Sequence, residues 1–285
     1  MPEPADQNTS SPSSPSSPAA RLLASGVSLG YDDKPIISEL STEIPDGSFT
    51  VIIGPNACGK STLLRGLSRL LAPRAGQIVL DGKAIHAYSA KDVARRLGLL
   101  PQTAIAPDGI TVADLVARGR YPHQGLLRQW SDADEKAVVE ALDATGTLSL
   151  SGRRVDELSG GQRQRVWVAM VLAQETDLLL LDEPTTYLDI AHQVELMELF
   201  AHLNREGRTI VAVLHDLNHA ARYADHMIAM RDGEILAVGD PSSVVTSEMV
   251  EEIYGLPNVV IEDPISGGPL VVPRGGAFPS RRAAQ

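Results

Sequence analysis

Short unbroken apolar runs alternate along the chain with stretches in which apolar residues return every three or four positions. "SFTVII" (48–53), "DLLLLDEP" (177–184) and "TIVAVLH" (209–215) are strand-sized and lack polar alternation, as strands buried on both faces do. "STLLRGLSRL" (61–70) and "IAHQVELMELFAHLNREG" (190–207) have helical spacing. "QIVLDGK" (77–83) and "LGLLPQ" (97–102) read as further strands, and "ADHMIAMRDGEILAVG" (224–239) as a hairpin turning at Asp232-Gly233. From about Thr103 to Gly161 the pattern is mostly helical and polar. Buried strands alternating with helices predict an α/β fold around a partly parallel sheet, with a helical subdomain inserted at about 103–165.

The two ends differ from this middle. Residues 1–20 are Ser/Pro-rich, with too few large apolar groups to offset the entropy of ordering, and are expected to be disordered. From about Gly267 the chain is punctuated by Gly, Pro and Arg, so 266–285 are expected to form a flexible tail behind one domain over 21–265. No internal repeat is visible. No run of 18 apolar residues occurs, so no segment is expected to span a bilayer, and the N-terminus lacks the apolar core of a secretory signal. Aromatic residues are only 4% of the 285, so the core must be built from Leu, Val, Ile and Ala. A net charge of -11 argues against nucleic acid as a partner. The single cysteine, Cys58, excludes an intramolecular disulfide and fits a reducing compartment.

That cysteine lies inside "GPNACGKST", where Gly54, Pro55, Asn56, Ala57, Cys58, Gly59, Lys60 and Ser61 match G-x-x-x-x-G-K-[ST], followed by Thr62. The stretch follows a predicted strand and opens a predicted helix, as the motif requires. Backbone amides in such a loop curl around phosphate oxygens, and the helix N-terminus adds positive potential. Lys60 is placed to reach β- and γ-phosphates, and the Ser61 hydroxyl to ligate Mg2+. Cys58 would contribute an amide to the cradle and a small filler side chain, although a helix N-terminus can also depress a thiol's pKa. Asp182 and Glu183 end the apolar run "LLLLDEP"; there one carboxylate can hold Mg2+ through water and the next can orient or deprotonate an attacking water. Ser159, Gly160, Gly161 and Gln162, in "ELSGGQRQRVWVAM", set a Ser cap and bare glycine amides at a helix start, a second anion site. Two such sites for one nucleotide make sense if the second closes on a phosphate held by another copy.

The order Tyr31, GPNACGKST, "LLPQ", "LSGGQ", "LLLLDEP", "YLD", "LHD" resembles the nucleotide-binding subunit of an ATP-binding-cassette (ABC) transporter over roughly residues 21–240. The resemblance implies an α/β P-loop NTPase fold with a mixed β core, an antiparallel β subdomain and the inserted helical subdomain. It implies ATP and Mg2+ as cofactors and ATP hydrolysis as the activity. By the same resemblance Tyr31 stacks on adenine, Gln102 contacts Mg2+ and the attacking water, Asp189 lies at a dimer interface and His215 contacts the γ-phosphate. Relatives often carry Gly where this chain has Ala57; if that position needs a positive φ, Ala costs about 1 kcal/mol there. Ala-Cys at this point, "VARGRYPHQGLLRQWSDAD" (116–134) and "TTYLDIAHQVELMELF" resemble ATPases of ferric-siderophore importers, with haem and cobalamin importers as the alternative and a soluble non-transport ATPase as a more distant one. The implied setting is peripheral, on the cytoplasmic face of the cell membrane: a homodimer on a permease pair that is fed by an extracytoplasmic binding protein.

Overall fold

A computed structural model of the chain describes residues 20–32, 34–125 and 130–275. The strands are β1 (Ala20–Tyr31), β2 (Lys34–Pro45), β3 (Phe49–Ile53), β4 (Ala75–Leu80), β5 (Lys83–Ala84), β6 (Leu97–Leu100), β7 (Leu178–Asp182), β8 (Thr209–Val213), β9 (His226–Arg231), β10 (Glu234–Gly239), β11 (Asn258–Glu262) and β12 (Pro269–Pro273). The helices are α1 (Lys60–Leu67), α2 (Ala90–Ala94), α3 (Val112–Ala117), α4 (Asp132–Ala144), α5 (Gly160–Leu172), α6 (Ile190–Arg205), α7 (Leu217–Tyr223), α8 (Pro241–Val244) and α9 (Ser247–Tyr254). A central sheet runs in the order β10-β9-β3-β8-β7-β6, parallel except for β10, which returns antiparallel through the Asp232-Gly233 turn. A second, antiparallel sheet has the order β2-β1-β4-β5.

Side-chain alternation sorts the central strands onto two faces. Leu178 and Leu180 of β7, with Val211 and Val213 of β8, face the antiparallel sheet and pack with Leu63, Leu64 and Leu67 of α1. Leu179 and Leu181, with Ile210 and Ala212, face the opposite way, toward α5 and α6. Both faces are therefore apolar, which is why these strands read as unbroken runs; each buried leucine contributes about 1.5–3 kcal/mol of burial free energy. The sandwich of α1 between the sheets fixes the direction in which the β3–α1 loop projects.

The inserted block is less polar than its composition suggests. Val112, Leu115 and Val116 of α3, and Val138 and Leu142 of α4, join the core on the α5 and α6 side of the central sheet. Thr111 caps α3, and Ser131 caps α4 in a reciprocal box with Asp134. Asp134 is itself buried, its charge met by Arg120 at 2.9 Å; Arg120 also donates to the Ala173 carbonyl at 2.8 Å, tying the block to the chain entering β7. Residues 126–129 of the "GRYPHQGLLRQW" stretch, and 1–19 of the expected N-terminal tail, lie outside the described residues.

The expectation of a flexible tail from 266 is corrected in part. Residues 269–273 form β12, paired with β11. Asn218 of α7 substitutes for a further strand: its Oδ1 accepts from the Val271 amide at 2.8 Å and its Nδ2 donates to the Val271 carbonyl at 3.2 Å. The prolines sit at the two ends of a two-stranded edge, where a missing N–H is tolerated. At the turn, Asp263 accepts from the Ile265 amide and pairs with Arg222 at 2.6 Å, and these contacts hold its carboxyl well below the usual carboxylate range.

Candidate nucleotide-binding site

The loop after β3 is shaped by residues that leave little choice. At Gly54, φ is +150° and a Cβ would fall 2.2 Å from the Met230 carbonyl oxygen. Ala57 adopts φ 62°, so the left-handed geometry that favours glycine is met by alanine, at a cost of about 1 kcal/mol. Gly59, at φ 106°, opens α1. Lys60 is almost fully buried, and its Nζ donates to the carbonyls of Gly54 and Pro55, each at 2.8 Å. The Ser61 hydroxyl donates to Asp182 Oδ1 at 2.9 Å, joining α1 to the end of β7.

An open cavity of about 440 Å³ is lined by residues 56–62 together with Ile36, Gln102, Glu183 and His215. Glu183 lies just past β7, its amide donating to Val213 O at 3.2 Å, and takes φ 55°. This left-handed turn costs a non-glycine residue about 1–2 kcal/mol. It accompanies a side chain whose Oε1 accepts from Gln102 Nε2 at 2.9 Å and from His215 Nε2 at 2.7 Å. Since a carboxylate only accepts, the His215 proton is on Nε2. Gln102 and His215, 81 and 32 positions from Glu183, thus converge on one carboxylate oxygen because β6, β7 and β8 end side by side.

Asp182 is buried, and desolvation raises its pKa; the Ser61 hydrogen bond opposes the rise and the Glu183 charge adds to it. A folded pKa above the unfolded one means that stability from this group is present at low pH and is lost as pH rises through the raised value. Asp182→Asn is therefore expected to melt higher than the parent at neutral pH without ligand, while MgATP hydrolysis falls by roughly 100-fold or more. Thermal scans with and without MgATP check both; a lower ligand-free melting temperature would contradict the desolvation argument. The oxygen donors of Ser61, Asp182 and Gln102 suit a hard cation, and a buried, desolvated carboxylate is what such a cation relieves. Among the described residues no three His, Cys, Asp or Glu side chains form a metal cage.

Cys58 is buried, and burial pushes its thiol up despite Lys60 nearby. It sits as a neutral filler against Gly54. Tyr31 does not line the cavity; it is 38% exposed, and its hydroxyl accepts from Arg65 Nη1 at 2.8 Å. Ile36, on β2, is a lining residue with no signal in the sequence that distinguishes it from any other apolar strand position.

Ser159–Gln162 and Asp189 lie outside this cavity. Ser159 Oγ accepts from the Gln162 amide and Gln162 Oε1 from the Ser159 amide, at 3.2 and 3.1 Å, a reciprocal cap on α5. A Cβ on Gly160 would meet Tyr187 at 3.3 Å, and one on Gly161 would meet Leu188 at 3.2 Å, so the glycines admit the chain that leads from Glu183 to α6. Asp189 caps α6, and bonds from the His192 amide and ring hold its carboxyl below the usual range.

A family profile described as ABC transporter matches residues 37–186. The chain is 58% identical over 262 residues to the ferric enterobactin transport ATP-binding protein FepC of Escherichia coli (strain K12), covering 92% of this chain and 97% of that one. Among solved structures it resembles an inward-facing metal-chelate type ABC transporter, with TM-score 0.76, 28% identity and coverage of 90% of this chain and 97% of the other. It also resembles the dimeric post-hydrolysis state of the ATP-binding cassette MJ0796 bound to ADP and Pi, with TM-score 0.70, 26% identity and coverage of 77% and 98%.

Proposed function

The chain belongs to the ABC transporter family, and from that premise we propose that it is the ATPase that powers import of an iron(III)-siderophore complex through a separate membrane permease. The observation that carries the cargo assignment is the near full-length similarity to a ferric enterobactin transport ATP-binding protein. Geometry supports the enzymatic half of this reading: Lys60, Glu183 and His215 line the cavity, and Asp182 accepts from the Ser61 hydroxyl beside it. No described helix is long and apolar enough to cross a membrane, so the translocation path on this reading is supplied by a permease pair, with an extracytoplasmic binding protein delivering the chelate.

In the mechanism, the Gly54–Thr62 loop cradles the phosphates with its backbone amides, Pro55 having none to give, and Lys60 neutralises their charge. Ser61, Asp182 and Gln102 would hold Mg2+, which when bound would supply positive charge at the phosphates. Glu183 accepts the proton of the attacking water; His215 holds that carboxylate in place and contacts the γ-phosphate. Tyr31 stacks on adenine. Ser159–Gln162 of a second copy close over the same nucleotide, with Asp189 at the join, so that two copies enclose two ATP molecules. Loss of the γ-phosphate contacts reopens the pair, and the motion is passed to the permease through the Gln102 segment and the helical subdomain at the cytoplasmic face.

Uptake by a strain lacking this gene tests the cargo. Iron(III)-siderophore accumulation is expected to fall to background and to return with the intact gene but not with a Lys60→Ala copy. Undiminished iron-chelate uptake alongside lost haem or cobalamin uptake would overturn the siderophore assignment and favour the related importers.

A further inference from the structure

Three helix starts in this chain use the third helical position differently. In α4 and α5 that side chain, Asp134 or Gln162, accepts from the backbone amide of the capping serine. In α6 the residue is His192, and its ring goes to the capping side chain instead. Asp189 Oδ1 accepts from the His192 amide at 3.0 Å and from the ring Nδ1 at 2.7 Å. Since a carboxylate only accepts, the ring proton is on Nδ1. The amide bond by itself is a complete helix cap. A histidine at this end of a helix also gains nothing from the helix dipole, which favours acidic residues there. Helix initiation thus leaves the ring bond unexplained.

The surroundings narrow its purpose. Gln164 donates to the Pro184 carbonyl at 3.0 Å, and Gln193 to those of Thr185 and Leu188 at 3.3 and 3.2 Å. The backbone between Glu183 and α6 is therefore held without the His192 ring, which acts on the Asp189 carboxylate alone. Both of its bonds fall on Oδ1, and no side chain among the described residues donates to Oδ2. Tyr187 and Ile190, on either side of Asp189 in the chain, are each 77% exposed. Large exposed apolar side chains beside a fixed charge make a surface that a protein partner covers. Tyr187 also packs against Gly160, so this surface is continuous with Ser159–Gln162.

We propose that His192 is a positioning residue for the pairing of two copies of this chain: its Nδ1–H fixes the Asp189 carboxylate through Oδ1 and leaves Oδ2 for a donor of the second copy. This rests on the reading in which two copies close over MgATP, and continuity with Ser159–Gln162 is what identifies the partner as a second copy. The ring touches no nucleotide-cavity residue, so its removal leaves MgATP binding by a single chain intact.

The test uses the full-length Glu183→Gln chain, whose MgATP-dependent pairing is followed by light scattering over a range of protein concentrations. MgATP affinity below the pairing concentration and ligand-free melting are measured beside it. His192→Leu removes the donor and is expected to weaken pairing about fivefold for each copy, roughly 25-fold for the dimer, at unchanged single-chain MgATP affinity. His192→Asn puts an amide nitrogen in the place of Nδ1 and is expected to pair within about threefold of the parent. In an Asp189→Ala background, His192→Leu is expected to cost nothing more, because its effect passes through that carboxylate. Undiminished pairing in His192→Leu, no recovery in His192→Asn, or a further loss in the Asp189→Ala background overturns the proposal. Absence of pairing in Glu183→Gln itself, with MgATP bound, would instead overturn the two-copy reading.

Discussion

Glu183→Gln is expected to lower ATP hydrolysis by about 10²- to 10⁴-fold while MgATP binding survives. The substitution is nearly isosteric, and Oε1 can still accept from Gln102 Nε2 and His215 Nε2, now at 2.9 and 2.7 Å. The backbone at φ 55° need not change. What disappears is the ability to accept a proton, because a carboxamide is not a base near neutral pH. Steady-state phosphate release, measured beside nucleotide binding, checks the result. If hydrolysis stays within a few-fold of the parent, the proton passes elsewhere and the role given to Glu183 is wrong.

Lys60→Ala acts one step earlier. Its ammonium is buried and held by two loop carbonyls, so the variant loses a charge-assisted contact to phosphate and leaves the Gly54 and Pro55 carbonyls without their donor. A charged hydrogen bond of about 1.5–3 kcal/mol corresponds to MgATP binding weakened by roughly 10- to 100-fold, and turnover should fall to background. Calorimetric titration measures the first and phosphate release the second. Parental affinity and rate in this variant would remove the phosphate-loop assignment.

What the sequence discloses and what it hides divide along one physical line. Local chemistry is legible: the loop glycines, the apolar run of β7 ending in Asp182-Glu183, and the Ser159/Gln162 cap each depend on residues a few positions apart. The Asp232-Gly233 turn belongs to the same class. Contacts made by the tertiary fold are not legible. Ile36 enters the cavity only because β2 pairs with β1 and passes beside the loop. β12 lies in a Pro/Gly-punctuated stretch, and its order comes from pairing with β11 and from Asn218, 53 residues away. The positive φ of Glu183 is likewise invisible, since glutamate carries no preference for it.

The shared-nucleotide arrangement is tested most directly by the solution mass of Glu183→Gln, measured by light scattering with and without saturating MgATP. The account predicts about twice the 30.4 kDa chain mass with MgATP and a single chain without it. A single-chain mass under both conditions, with nucleotide shown to be bound, would contradict it.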